Sequence, residues 1–192
     1  SLMLTPWLTL SSQDVSPSKW FPVTRDEVQL PDGTIIDDYY YSPLGGVVMV
    51  LPLTPAGEIV LVKQYKHGLK EILLELPGGM QQEGKTIEES ALAELEEETG
   101  IRASAEQLIP LGRIANNPTK TDQVTWGFLV KNAEFNSQQH FDPTEQIQVI
   151  TLPAAQVLEM VKNGEIWVTD SVSFLLKASY LHPEIFHSQP FK

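Results

Sequence analysis

Residues 76–101 read LPGGMQQEGKTIEESALAELEEETGI, and this stretch decides the fold. Thr86 is followed three positions later by Glu89, the arrangement in which a hydroxyl and a carboxylate satisfy each other's orphan backbone donors at a helix start. The spacing predicts a helix that begins at Ile87 and stops near Thr99, where Gly100 can take the left-handed conformation that closes a helix. Within it Glu94, Glu97 and Glu98 stand at i, i+3 and i+4, so successive turns stack three carboxylates on one face.

With about 100° per residue, Ile87 lies about 20° round from Glu94, Glu98 about 40°, Ala91 about 60° and Leu95 about 100°. The acids therefore border the stripe that must face the core. Like charges at i, i+4 weaken a bare helix, and partial burial drives a carboxylate toward protonation unless positive charge compensates. A divalent cation supplies that charge. Mg²⁺ takes a few carboxylates together with water and phosphate oxygens, so the cluster suits a diphosphate substrate. A solvated acidic helix is the plainer reading of ELEEE. Against it stands the Leu-Pro-Gly-Gly turn, which suggests a strand ending in a loop whose backbone packs closely on the acidic helix.

Together these residues resemble a Nudix box, the pattern G-x5-E-x7-R-E-U-x-E-E-x-G-U with U a bulky aliphatic residue. Gly79 takes the first glycine, and Glu94-Leu95, Glu97-Glu98, Gly100 and Ile101 follow in register. Lys85 stands where the box has its first glutamate, and Ala93 where it has arginine. The resemblance implies that this pair clamps loop to helix in the family, so the clamp is lost here while the metal-ligating glutamates remain. It also implies an α/β fold, a Nudix-type α/β/α sandwich with a mixed central sheet and an N-terminal strand layer.

At 192 residues the chain suits one well-cored domain with a short accessory layer, and 42% hydrophobic with 20% charged residues is a globular composition. A net charge of -12 argues against a nucleic-acid binder, whose affinity rests on clustered Lys and Arg. Without cysteine there is no disulfide framework, thiolate nucleophile or cysteine-ligated zinc. No apolar run approaches a membrane span, and the opening residues lack signal-peptide character, so a cytoplasmic protein with no membrane partner is expected. Ser1-Leu2 reads as a tag remnant ahead of Met3.

Residues 4–24 lack periodicity and read as an arm with at most short strands, whose Trp7, Trp20 and Phe21 need burial somewhere. EVQLPDGTIIDDYYY, residues 27–41, reads as a hairpin turning at Pro31-Asp32-Gly33. It is similar to the amino-terminal strand layer of the ADP-sugar branch of the family, which implies a homodimer. The expected division is an arm and hairpin over 1–44 and a Nudix domain over 45–192. Residues 45–53 and 58–65 read as buried strands of a mixed sheet, and ILLELPGG, residues 72–79, as a further strand running into the box. Strands follow over 108–118 and 122–135, then a polar loop over 136–144 with His140 and Asp142, a strand at IQVITL, a helix between Pro153 and Gly164, and another over 171–182. The four histidines are scattered and read as surface residues.

KQYKHGL resembles the RQYR segment of ADP-ribose pyrophosphatases, with Lys66 in place of an arginine, and Glu75 matches the family's E-L-P-A-G glutamate. Lys66 is either a phosphate contact or a solvated loop lysine. Pro118 falls close to the marker proline of the ADP-ribose-type subfamily. The resemblance thus implies a metal-dependent hydrolase of a nucleoside diphosphate linked to another moiety, ADP-ribose or an ADP-sugar. Glu94 and Glu98 would hold Mg²⁺, or Mn²⁺, together with the backbone carbonyl of Gly78, and Glu97 would be a ligand or orient one. Lys66 and Glu75 would contact the nucleotide. Glu145 is the candidate base or extra ligand, or else a plain loop acid. Lys85 and Ala93 motivate a second reading, a catalytically inactive module that binds ADP-ribose. A triphosphatase fits the box but not the N-terminal layer.

Overall fold

Alternation of apolar residues along the strands lays out the core. In the computed structural model, which describes residues 3–187, the chain forms two compact units, one of residues 1–45 with 115–123, the other of 46–114 with 124–192. The first holds an antiparallel sheet of β1 (Leu8–Asp14), β2 (Thr24–Gln29) and β3 (Ile35–Tyr41), in that order. The hairpin turns as expected. Gly33 takes φ 87°, and the Leu30 amide donates to the Thr34 carbonyl at 2.8 Å. The preceding arm is more regular than its sequence suggests, because β1 pairs with β2 from Leu8 to Asp14 although every residue of β1 is exposed. A strand without a buried face has no alternation to read. The expected burial of Trp7, Trp20 and Phe21 is not met within the single chain, where all three are exposed.

The second unit carries β4 (Gly46–Pro52), β5 (Glu58–Lys66), β6 (Glu71–Glu75), β7 (Gly78–Met80), α1 (Ile87–Thr99), β8 (Leu108–Ala115), β9 (Val124–Val130), β10 (Ile147–Pro153), α2 (Ala154–Lys162) and α3 (Thr169–Leu181). β7-β4-β9-β8 form a mixed sheet with β4 parallel to β9, and β10-β5-β6 an antiparallel one. β4 and β5 thus belong to separate sheets, joined by a single bridge between Leu53 and Ile59, where one sheet was expected.

Both faces of these strands are buried, and successive residues feed different cores. Met49, Leu51, Ile59, Leu61 and Leu129 pack with Val157 of α2 and with Phe174 and Leu175 of α3. Val48, Val50, Val60, Phe128 and Val130 pack with Ala91 and Leu95 of α1. The α/β/α layering follows, as expected. α1 begins and ends where its sequence predicts: the capping box of Thr86 and Glu89 is complete, and Gly100 adopts φ 77° with its amide on the Glu96 carbonyl.

The single strand expected over 72–79 is two. Pro77 has no amide hydrogen for a ladder, and the amide of Leu76 donates instead to Ser171 Oγ at 3.1 Å. The chain therefore leaves one sheet after Glu75 and enters the other at Gly78, where β7 runs antiparallel to β4.

Candidate active site

The β6 to β7 crossover sets two glycines against α1. The amide of Gly78 donates to Glu98 Oε2 at 3.0 Å. A Cβ on Gly79 would stand 2.6 to 2.8 Å from the carboxylate atoms of Glu94, so the side chain lies in space that only glycine leaves open. Glu98 is buried at 5% exposure, whereas Glu94 and Glu97 are half-buried.

Charge accumulates here beyond what the site neutralises. Burial pushes the Glu98 carboxyl up to about 8; repulsion from Glu94 and Glu145 adds to this, while the Gly78 amide and Lys66 oppose it. Burial also raises Glu94, against the hydrogen bond from Gln82, and the charges of Glu97, Glu145 and Asp142 push the same way.

Glu145 reaches this field because its loop is stitched to the end of α1. The last carbonyls of a helix lack partners within it, and here the loop supplies them. The Ser137 amide donates to the Gly100 carbonyl at 2.9 Å, Gln139 Nε2 to that of Glu98 at 2.8 Å and the His140 amide to that of Glu97 at 2.8 Å. A turn then closes through the Glu145 amide on the Asp142 carbonyl, and Glu145 Oε2 accepts from the Asp142 amide at 3.0 Å.

At the end of β5, Lys66 Nζ lies 3.6 Å from Glu75 Oε2. Burial raises the Glu75 carboxyl; Lys66 opposes this, and the charge of Asp170 reinforces it. Lys66 ends β5 rather than sitting in a loop, and it is paired rather than simply solvated. The candidate site residues Lys66, Glu75, Gly78, Glu94, Glu97, Glu98 and Glu145 therefore fall in or beside one region. Gly78 contributes its amide there, the carboxylates of Glu94, Glu98 and Glu145 act on one another, and Glu97 and Glu94 share a partner.

That partner, Gln82, was not legible in the sequence, because it occupies a position the box leaves unspecified. Its Nε2 donates to Glu94 Oε1 at 3.2 Å and to Glu97 Oε2 at 3.1 Å, and its Oε1 accepts from Lys85 Nζ at 2.6 Å. Among the described residues no three acid or imidazole groups form a ready-made cation cage. Gln82 engages one oxygen of Glu94 and both of Glu97, and Gly78 engages one of Glu98. The donor set nonetheless fits a hard divalent cation, since it consists of carboxylate oxygens in a glycine-lined cleft with uncompensated negative charge.

The NUDIX domain family model matches residues 43–170, and that of the nucleoside diphosphate sugar hydrolase N-terminal domain matches residues 7–42. The chain belongs to the NUDIX family. This NUDIX chain is 27% identical over 161 residues to the ADP-ribose pyrophosphatase of Bacillus subtilis, covering 83% of the chain and 85% of that protein. It is 28% identical over 166 residues to the methanol dehydrogenase activator of Bacillus methanolicus, covering 85% and 88%. A solved structure described as an ADP compounds hydrolase superposes with a TM-score of 0.83 at 20% identity, over 97% of this chain and all of that one, which supports the fold. Among the described residues no helix is long and apolar enough to cross a membrane.

Proposed function

We infer that this NUDIX chain is a divalent-metal-dependent hydrolase of the diphosphate in a nucleoside diphosphate linked to another moiety, with ADP-ribose or an ADP-sugar as substrate. The observation that carries it is the row of carboxylates Glu94, Glu97 and Glu98 against Gly78 and Gly79, short of positive charge. Glu94 and Glu98 would hold Mg²⁺, or Mn²⁺, with the Gly78 carbonyl, and Glu97 would hold or orient it. When bound, the cation masks the diphosphate's charge and lowers the pKa of an attacking water.

Around it the chain's own groups have separate tasks. Lys66 supplies a cation to a phosphate oxygen while Glu75 holds it in place. Glu145, within electrostatic reach of Glu94 and Glu98, takes the proton of the attacking water or adds a ligand. Beside Glu145 opens a cavity of about 540 Å³ lined by Tyr65, Ile72, Phe141 and Gln148, whose apolar and amide surfaces suit a nucleoside.

Hydrolysis of nucleotide sugars, dinucleotides and triphosphates to phosphomonoesters, read as the phosphate that an added phosphatase frees from those products and screened with Mg²⁺ and with Mn²⁺, tests this reading. Turnover of ADP-ribose or ADP-sugars is expected. Binding of ADP-ribose with no turnover of any compound would establish the inactive module instead. A cytoplasmic site of action belongs to the same reading.

We also propose a homodimer built on the N-terminal sheet. The exposed Trp7, Leu8, Leu10, Ile35 and Tyr40 in that unit support it, because apolar surface gathered on one small sheet favours a partner. Light scattering at micromolar concentration should report twice the 21.4 kDa of the chain, and a monomer would overturn this.

A further inference from the structure

The two positions where this chain departs from the box leave a loop and a helix without their clamp. Lys85 cannot pair with the methyl group of Ala93, yet the loop does not hang free. The Gln81 amide donates to the Gly46 carbonyl at 2.9 Å, and the Gln82 amide to Ser90 Oγ on α1 at 3.0 Å. The Lys85 amide closes a turn on the Gln82 carbonyl at 3.1 Å, and Gln81 Nε2 donates to the Lys85 carbonyl at 3.0 Å. The backbone of Gln82 is therefore anchored, and its side chain has a defined reach.

The chemistry of its neighbours allows the amide one orientation. An ammonium only donates and an ionised carboxylate only accepts. Lys85 Nζ at 2.6 Å therefore claims Oε1, and Nε2 must face Glu94 and Glu97. The lysine also polarises the amide, which strengthens the bonds that Nε2 donates to the two glutamates. A donor shared by two like-charged groups draws them together where they would otherwise repel. These bonds engage Oε1 of Glu94 and both oxygens of Glu97, and Gly78 engages Oε2 of Glu98. Glu94 Oε2 and Glu98 Oε1 are not taken by either.

We propose that Gln82, oriented by Lys85, is a positioning residue that holds Glu94 and Glu97 in place for a divalent cation, in the stead of the missing clamp. The proposal rests on the cation-binding reading above. It assigns to Lys85 an action through the amide, with no contact to substrate. Partners of metal ligands that fix ligand orientation are typically worth about 10- to 100-fold in metal affinity.

The test is calorimetric titration of the full chain with Mn²⁺, without substrate, for wild type, Gln82→Met, Lys85→Met, the double variant, Lys85→Arg and Glu98→Gln. Gln82→Met should weaken Mn²⁺ binding by about tenfold or more, and Lys85→Met by about threefold or more. The double variant should bind no more weakly than Gln82→Met, because the lysine acts only through the amide, and Lys85→Arg should bind nearly as wild type. A loss below about fivefold in Gln82→Met, or tighter binding, overturns the proposal, as does a double variant clearly weaker than Gln82→Met. If circular dichroism shows that Gln82→Met does not fold, Lys85→Met decides: wild-type affinity there overturns the proposal. Should wild type bind no Mn²⁺, or Glu98→Gln bind it as tightly as wild type, the cation site itself fails and the proposal falls with it.

Discussion

Gly79 and Glu94 share one space: a Cβ on the glycine would meet Cδ of the glutamate at 2.6 Å and Oε2 at 2.7 Å. The obstacle is the end of a side chain, which can move, so Gly79→Ala should cost only about 1 kcal/mol of stability. Its effect on function should be larger, because Glu94 is displaced. Gly78→Ala would instead drive Cβ into the Val48 carbonyl of the neighbouring strand, and that backbone cannot yield without disturbing β4. Chemical denaturation should find it the less stable of the two by about 1 to 2 kcal/mol. Equal stability losses would contradict this account.

Glu98→Gln should abolish hydrolysis while the fold persists. The change keeps the volume and removes a charge that the buried site accommodates poorly, given that burial and Glu94 both resist ionisation there. Without metal, the melting temperature should hold or rise. Full turnover in this variant would exclude α1 from the chemistry.

The same carboxyl makes metal-free stability depend on pH. Its value is about 8 in the folded chain against an ordinary 4.5, so within that window the folded state keeps a proton that the unfolded state has lost. Stability from this group is complete below 4.5 and declines as pH rises through 8, with a limiting slope of about 1.4 kcal/mol per pH unit for one proton. Calorimetric melting of the metal-free protein should therefore show a fall over this range that is shallower in Glu98→Gln. A bound divalent cation, which favours the ionised form, should flatten it in the wild type. Parallel profiles for wild type and variant would rule out the shifted carboxyl.

Glu145→Gln separates a base from a passive loop acid. As a base, its loss should slow turnover by about 100-fold or more with little change in melting temperature, since the hydrogen bond its carboxylate accepts is a local one from the Asp142 amide. Unchanged turnover would leave Glu145 without a catalytic part.

Much of this molecule is written locally. The capping box at Thr86, the left-handed Gly100 and the i, i+3, i+4 acids need only neighbours within a turn or two, so α1 and its acidic face could be read without a fold. Val-rich apolar runs likewise announced β4 and β5 as buried strands, and Pro153 with Gly164 bracketed α2.

Other features had no local signal. β1 escaped because its residues are all exposed, and the chain's passage between sheets at Leu76-Pro77 depends on Ser171, far away in sequence. The loop bearing Glu145 meets the acids only because amides at 137 and 140 and the Gln139 side chain find the unpaired carbonyls at the end of α1. Lys85 and Ala93 read in sequence as a lost clamp. Only the folded loop, with the Gln82 backbone tied to Ser90, brings an amide between the lysine and the two glutamates. Residue types and spacing thus determined that a buried acidic helix would face a glycine turn. Which donors satisfy those acids was decided by tertiary contacts, because hydrogen bonding depends on distance in space and is blind to separation along the chain.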